Sequence, residues 1–273
     1  EREGGKNNLK GKKIAFIYHN SGYGKEPLPT FNKLAKKYGY DFKALAVDHP
    51  GQEQKAAWLQ VRRYKPDYVF LTGWGVMNQV AIKEAAAIRF PMDHFIGNWW
   101  SGAEPDVLPA GKTAIGYIAA TFNQPGAGTQ AHADIVKHVY GGDAAAAKKG
   151  QIGQVLYNRG IINAIYDTEA VRTAMGKYGN KAMSGEQVRW GLENLNLTEA
   201  RLGELGVKGF MGPISVSCKD HEGGGKVMFQ QWSGTEWKIV KGWTDTMQDV
   251  IRPMIEEAAA AYAKENKITP RAC

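Results

Sequence analysis

Short apolar runs alternate with amphipathic stretches through the first half of the chain, and glycine-containing turns follow several of the runs. The runs are rich in β-branched and aromatic side chains, which indicates buried strands at 14–18, 42–47, 68–71, 95–97 and 114–119. Between them, apolar positions recur at helical spacing and predict helices at 27–38, 54–64 and 77–88. This succession is typical of an α/β protein with a parallel sheet flanked by helices on both faces.

The pattern changes near residue 123, where a glycine-rich loop at 124–128 interrupts the strand–helix succession. Beyond it the apolar spacing predicts helices at 130–140, 161–178, 184–194 and 254–264, an extended segment at 209–217, and a hairpin of 227–232 with 236–240. Ser184 and Gln187 have the spacing of a capping box. The loop at 124–128 is therefore a predicted crossover between two domains.

Composition fits a folded protein, since the 273 residues are 43% hydrophobic and 23% charged. The net charge is +8, but the basic residues are spread along the chain, so we expect no nucleic-acid partner. No stretch approaches the ~18 apolar residues of a membrane span. Residues 1–5 lack the apolar region of a signal peptide, which leaves open a cytosolic protein, a removed leader or a start inside a longer protein.

Motifs for catalysis, metals and cofactors do not emerge. Gly22 and Gly24 lack the third glycine of a dinucleotide fingerprint, and the glycines at 223–225 precede Lys226 without the Ser or Thr of a phosphate-binding loop. The segment 218–222 carries a thiol, an imidazole and carboxylates at a spacing that matches no metal motif. We therefore expect no metal, no cofactor and no enzymatic activity.

Three loops carry an aromatic residue among small or polar ones, at 20–24, 72–75 and 98–102. Each follows a predicted parallel strand, and ligands of open parallel sheets bind beyond the carboxyl ends of the strands. If the loops converge, Tyr23, Trp74 and Trp99 form an aromatic wall, and small polar residues beside them could hold an anion. The alternative for each aromatic is to fill the core.

Cys218 and Cys273 are the two cysteines of the chain. In an oxidising compartment they are expected to pair and hold the tail to the segment before residue 218, whereas in the cytosol they would stay free thiols. Composition does not choose between these states.

The order of several motifs resembles the Leu/Ile/Val-binding-protein family, the type I periplasmic solute-binding proteins of ABC importers. KKIAFIY at 12–18 and SGYGK at 21–25 resemble the opening of that family's second lobe. Further similar segments lie at 66–70, 95–97, 209–213 and 230–234, so the resemblance covers about residues 10–240.

The resemblance implies the type I periplasmic-binding-protein fold, with two α/β lobes and the ligand in the cleft between them. On this interpretation residues 10–121 form the second lobe, 122–212 return into the first lobe as mostly helical structure, 213–243 return to the second lobe as a hairpin, and 244–273 form a C-terminal helix and tail. The opening strands of the first lobe have no counterpart here. We therefore expect an incomplete first lobe whose apolar faces need the missing N-terminal segment or a second chain as partner.

The resemblance also implies residues for the cleft. Tyr23 and Trp74 match cleft aromatics of the family, while Trp99 stands where amino-acid binders carry a glutamate for the ligand ammonium. Trp100, Ser21 and Asn98 complete the predicted ligand-binding set in the strand-end loops. Arg159 is a predicted partner for a ligand carboxylate; the alternative is a surface arginine before a helix.

The function that follows is a non-catalytic, periplasmic substrate-binding component of an ABC importer, which captures a small aromatic or apolar carboxylate and is recognised by a membrane permease. Stacking on tryptophan suits such a ligand. A branched-chain amino acid or amide is the alternative within the family. An α/β enzyme or a cytosolic ligand sensor is the alternative from another class. A periplasmic location would favour the Cys218–Cys273 disulfide.

Overall fold

The computed structural model describes residues 2–273, which divide into two compact units. The first unit contains the chain up to Gly126 together with Gly153–Leu156 and Met228–Gly242. The second contains Ala127–Ile152, Tyr157–Val227 and Trp243–Cys273. Each unit has its own apolar core, and each is described in turn.

A seven-stranded sheet forms the centre of the first unit, in the order β2-β1-β3-β4-β5-β8-β9. The first five strands of this order are parallel, and β8 is antiparallel to β5. The strands are β1 Lys13–His19, β2 Asp41–Val47, β3 Tyr68–Thr72, β4 Phe95–Gly97, β5 Ile118–Thr121, β8 Lys226–Trp232 and β9 Trp237–Asp245.

Helices follow the parallel strands because apolar positions recur on one side of each helix and pack on the sheet. Trp58 and Ile82 are fully buried in one core cluster with Ile17, Val69 and Phe95. The α-helices of this part of the chain are α1 Gly22–Lys25, α2 Leu28–Tyr38, α3 Lys55–Tyr64, α4 Val76–Ala87 and α5 Glu104–Val107. Shorter 3₁₀ helices span Lys6–Leu9, Met92–His94, Trp99–Ser101 and Leu108–Ala114.

The predicted strand at 114–119 is wrong at its start. A 3₁₀ helix occupies Leu108–Ala114, with Gly111 in a non-helical conformation at φ 58°, and β5 begins only at Ile118. Lys112 and Ala114 accept hydrogen bonds from Ile115 and Tyr117, so the turn persists up to the strand. The apolar run alone does not separate these two conformations.

The second unit is mostly helical around a core that includes Ile162, Leu195, Leu202, Phe210 and Met211. Its small sheet pairs β6 Asn196–Leu197 with β7 Ile214–Ser215 in antiparallel fashion. The remaining helices of the chain are α6 Gln130–His138, α7 Ala144–Lys149, α8 Val155–Tyr178, α9 Gly185–Leu192, α10 Glu199–Glu204 and α11 Gln248–Glu265.

Several boundaries in this region differ from the sequence prediction. The capping box of Ser184 and Gln187 is confirmed at the start of α9. The extended segment predicted at 209–217 is wrong for most of its length, because only Ile214–Ser215 pair as a strand and residues 217–220 turn. Residues up to Val227 group with the second unit, where Ile214 and Val216 pack on its core. The assignment of 213–243 to a return into the second lobe stays a prediction.

The C-terminal segment is fastened to a turn at residues 218–222. A disulfide joins Cys218 to Cys273, with 5.5 Å between their Cα atoms. Arg252 of α11 is 3.4 Å from the Asp220 carboxylate, and Arg271 pairs with Glu193. Within residues 2–273, none of the helices has the length and hydropathy needed to cross a membrane.

Candidate functional site

Three strand-end loops of the first unit meet at the carboxyl edge of the sheet. The ring centroids of Tyr23 and Trp74 are 6.0 Å apart. The Asn98 side-chain amide donates a hydrogen bond to the Tyr23 hydroxyl at 2.5 Å. The parallel order of β1, β3 and β4 produces this meeting, because parallel strands that pair with one another end at the same edge.

The loop after β1 is set by Ser21 and Gly24. Ser21 caps the single turn of α1 by accepting a hydrogen bond from the backbone N–H of Gly24. A Cβ at position 24 would lie 1.8 Å from the carbonyl oxygen of His19, so only glycine allows the chain to fold back this closely. The turn presents Tyr23 toward Trp74.

Ser101 connects the loops after β3 and β4. Its hydroxyl lies 3.0 Å from both the carbonyl oxygen of Gly73 and the side-chain oxygen of Asn98. The buried Tyr117 hydroxyl donates to the carbonyl of Ser101 at 2.8 Å, and burial raises the pKa of this phenol well above its usual value. Gly97 is needed here because a Cβ would lie 2.0 Å from the Tyr117 hydroxyl oxygen.

Two tryptophans lie in the 3₁₀ turn after β4. The Asn98 side chain caps this turn, and the ring centroids of Trp99 and Trp100 are 4.6 Å apart. Asn78 of α4 donates from its amide to the Trp100 carbonyl and to the Asp106 carboxylate, each at 2.9 Å. The backbone that carries the two indoles is therefore held in place by the buried side chains of Asn78 and Asp106.

A cavity of about 320 Å³ lies beside these loops, lined by His49, Pro50, Trp74, Gly75, Val76 and Trp100. Trp74 is 47% and Trp100 41% exposed, which is high for such large apolar rings. Trp99 packs instead on Trp100 and on Phe122, whose ring centroid is 5.6 Å away. The cavity can take a small flat or apolar molecule beside these exposed indole rings.

Sequence reasoning did not select two histidines in this region: His49 lines the cavity, and His19 contacts His49 and Trp74. His19 ends β1 and is only 3% exposed, while His49 follows β2. The His19 ring centroid is 5.8 Å from that of His49 and 5.5 Å from that of Trp74. Burial and then the charge of a protonated His49 lower the pKa of His19, whereas Asp48 acts in the opposite direction. The sequence feature that could have identified these histidines is the presence of a histidine at the ends of two adjacent parallel strands, β1 and β2.

Acidic groups near the loops are held by protein donors. Asp106 accepts from the backbone N–H of Ala103 at 2.9 Å as well as from Asn78. Asp48 accepts from the Asn20 amide at 2.6 Å. The segment 98–103 contains no acidic residue. Among residues 2–273, no cluster of three or more His, Cys, Asp or Glu side chains is placed to hold a metal ion.

Arg159 lies in the second unit, near the start of α8. Its neighbour in sequence, Asn158, is fully buried and is hydrogen-bonded to His132 at 2.9 Å. His132 in turn is 2.6 Å from the Thr129 hydroxyl that caps α6. These bonds fix the backbone that carries Arg159 within its own unit.

The chain resembles known proteins over most of its length. A family model described as periplasmic binding protein matches residues 4–236. A solved structure described as an ABC transporter permease from the Pseudomonas fluorescens group is 45% identical, with a TM-score of 0.91. That match covers 100% of this chain and 66% of the other. No curated protein matches the chain.

Two further structures are similar in fold. A branched-chain amino acid ABC transporter protein from Thermus thermophilus with bound valine is 20% identical, with a TM-score of 0.70, and the match covers 91% of this chain and 64% of that one. An ABC transporter solute-binding protein from R. palustris in complex with benzoate is 16% identical, with a TM-score of 0.61, covering 86% and 60%. The chain thus spans 66%, 64% and 60% of the lengths of these three structures.

Proposed function

We propose, since the chain belongs to the periplasmic binding protein family, that it acts in solute capture for an ABC importer. The family and the α/β fold of a mostly parallel sheet with flanking helices are as the sequence predicted. The family is one of solute-binding proteins, and its periplasmic setting is the location proposed for this chain. A membrane permease would recognise the ligand-bound form after closure of two lobes around the solute.

The ligand class proposed is a small aromatic or apolar carboxylate. The observation that carries it is the exposure of Trp74 and Trp100 along one cavity, where stacking on indole faces favours a flat ring. A solute-binding protein of the same fold was solved with benzoate. Tyr23, Ser21, Asn98 and Trp99 belong to the same proposed set, through ring contacts and hydrogen bonds with the lining residues or with each other.

These loops are less suited to an α-amino acid than to an aromatic carboxylate. Its ammonium group needs a carboxylate when it leaves water, since an unpaired buried charge costs several kcal/mol. The segment 98–103 offers none, and Asp106 already accepts two hydrogen bonds from protein groups. A branched-chain amino acid is nevertheless the second candidate, because a structure of this fold holds valine.

Arg159 is proposed as a further partner of the ligand carboxylate from the second unit. Guanidinium groups bind carboxylates through two parallel hydrogen bonds. This role rests on the resemblance stated from sequence, and Arg159 itself lies in the second unit.

The proposal is tested by calorimetric titration of the chain with benzoate and with valine. We expect benzoate to bind more tightly than valine. Trp99→Glu should weaken benzoate and strengthen valine at least about tenfold relative to Trp99→Gln, because only the former adds a partner for an ammonium group.

Trp99→Gln is the matched control, since it removes the same indole without adding charge. Tighter binding of valine than of benzoate by the unaltered chain would favour the amino-acid alternative. Binding of neither compound would overturn the proposed ligand class.

A further inference from the structure

His19 carries a buried nitrogen that has no protein partner. Its Nε2 atom is buried, and no group within residues 2–273 is hydrogen-bonded to it. The whole side chain is 97% removed from solvent, being only 3% exposed. Buried polar atoms are nearly always paired. The His19 ring contacts His49 and Trp74, which line the cavity, so the unpaired Nε2 atom is a candidate for a ligand contact.

The Ser21 hydroxyl can donate to or accept from the His19 ring, and one of these arrangements places the ring proton on Nε2. The Ser21 hydroxyl oxygen lies 2.9 Å from Nδ1 and accepts from the backbone N–H of Gly24 at 3.3 Å. If Ser21 donates its own proton to Nδ1, every one of these groups is satisfied. Nδ1 is then an acceptor, and the ring proton lies on Nε2, which becomes a donor.

The surroundings of His19 favour an acceptor with negative charge. Its ring touches Trp74 and His49, which both line the 320 Å³ cavity. His49 itself lines this space. The one carboxylate that acts on His19 electrostatically is Asp48, which is exposed and hydrogen-bonded by Asn20. Indole and imidazole rings therefore lie side by side, a combination that suits an aromatic acid.

We propose that His19 is a specificity-determining residue whose Nε2–H donates a hydrogen bond to the ligand carboxylate, with Ser21 as the positioning residue that fixes its tautomer. This inference rests on the proposed function and names the polar end of the same site. A neutral His19 suffices for the bond. Because a carboxylate at Nε2 also favours the charged ring, binding raises the pKa of His19 from its lowered value in the free protein.

The first test is calorimetry with benzoate and its neutral counterpart benzamide on the unaltered chain and on His19→Phe, which keeps a flat ring without a donor. A lost hydrogen bond to a charged group should weaken benzoate about tenfold to a hundredfold, and benzamide by less than about tenfold. His19→Gln keeps an N–H near the same position and should retain more affinity than His19→Phe. His94→Phe is the control, since His94 is hydrogen-bonded to Asp67 and stacks on Tyr68 in the turn before β4.

The second test needs no variant of His19 itself. Long-range ¹H–¹⁵N correlation spectra of the imidazole rings should show the Nε2–H form for His19. Ser21→Ala should shift that ring toward the other tautomer. Addition of benzoate to the unaltered chain should move the Nε2 resonance and raise the pH at which the ring titrates. These readouts decide the matter if His19→Phe does not fold, as judged by its thermal unfolding.

The outcomes separate the inference from the function on which it rests. If benzoate binds the unaltered chain and His19→Phe equally well, or binds without moving the Nε2 resonance, the role of His19 is overturned while the proposed function stands. If neither benzoate nor valine binds the unaltered chain, the proposed ligand classes fail, and the role of His19 fails with them. A selective loss of benzoate in His19→Phe supports the inference.

Discussion

At the residue scale, the sequence located the loops of the candidate site but not every side chain in it. Tyr23 and Trp74 were found because strand ends of a parallel sheet converge. His19 was missed because a lone histidine at the end of an apolar strand has the pattern of a core residue. The sequence did not separate the roles of Trp99 and Trp100, because neighbours in a 3₁₀ turn point in different directions. The contact of Trp99 with Phe122 and the place of Trp100 in the cavity lining distinguish them.

Glu169 supports a prediction for the second unit. Its carboxylate is buried and accepts hydrogen bonds from Arg201 at 2.8 and 2.7 Å and from Arg172 at 2.9 Å. Glu169→Gln should lower the free energy of unfolding by about 1.5–3 kcal/mol, the range for bonds to charged groups. Urea denaturation at neutral pH measures this change.

The hydrogen bonds of Glu169 also make the stability of the chain depend on pH. Hydrogen bonds from Arg201, and then from Arg172, lower the pKa of Glu169 in the folded chain, with burial opposing them. The stabilisation is therefore present above the unfolded carboxyl pKa of about 4.3 and is lost as pH falls through the lower folded value. Glu204→Gln removes an exposed partner of the same Arg201 and should cost less than about 1 kcal/mol. Equal losses in both variants would contradict the role given to Glu169.

At the element scale, the period of hydrophobic positions predicted the strands and helices of the first unit well, because β1 and β3 are mostly buried and α3 and α4 each bury one side. The errors fall where a local turn interrupts the period. The helix at Leu108–Ala114 contains the kink at Gly111, and α8 begins at Val155 rather than at 161 because the helical backbone continues into that segment. Single-sequence periodicity does not contain the information for such boundaries.

Gly97 lies at the junction between β4 and the following turn, and its substitution tests how these two elements pack. Gly97→Ala would bring a Cβ within 2.9 Å of the Ser101 side chain as well as against the Tyr117 hydroxyl. We expect a loss of about 1–3 kcal/mol in unfolding free energy, because a tightly packed site must shift. It should also weaken benzoate binding by disturbing the loop of Asn98 and Trp100.

Gly160→Ala provides the matched control in chemical denaturation. Gly160 lies inside α8, and no heavy atom would lie within 4 Å of a new Cβ there. Alanine favours a helix interior over glycine by about 0.5–1 kcal/mol, so this variant should gain stability. A Gly97→Ala variant that is as stable as the unaltered chain would show that the loops after β3 and β4 are not packed as described.

At the scale of the whole molecule, the chain passes several times between its two units. The crossover near residue 124 and the later returns given from sequence stay predictions. Residues 213–227 illustrate the difficulty: β7 pairs with β6 across 16 residues of helix and loop, a contact that no local pattern encodes. The spans of the first and second lobes given from sequence stay predictions.

The Cys218–Cys273 disulfide leads to a whole-chain prediction. Closing 55 residues of sequence separation limits the unfolded chain, so reduction should lower the unfolding free energy by about 2–4 kcal/mol. Thiol titration in denaturant without reductant should find no free cysteine. The double variant Cys218→Ser/Cys273→Ser should show the lowered stability with and without reductant. Two titratable thiols in the oxidised protein would contradict the pairing.

Some tryptophans lie in the core and others line the cavity, so the intrinsic tryptophan fluorescence can report ligand binding. Trp58 and Trp232 are 0% and 2% exposed, and their surroundings stay fixed while the fold is intact. Trp74 and Trp100 instead face water along the cavity. The fluorescence of an indole ring shifts to shorter wavelength when water leaves its surroundings. A solute that fills the cavity should therefore shift the emission of Trp74 and Trp100 while the emission of Trp58 and Trp232 stays unchanged. A blue shift of the intrinsic tryptophan fluorescence would therefore report solute binding.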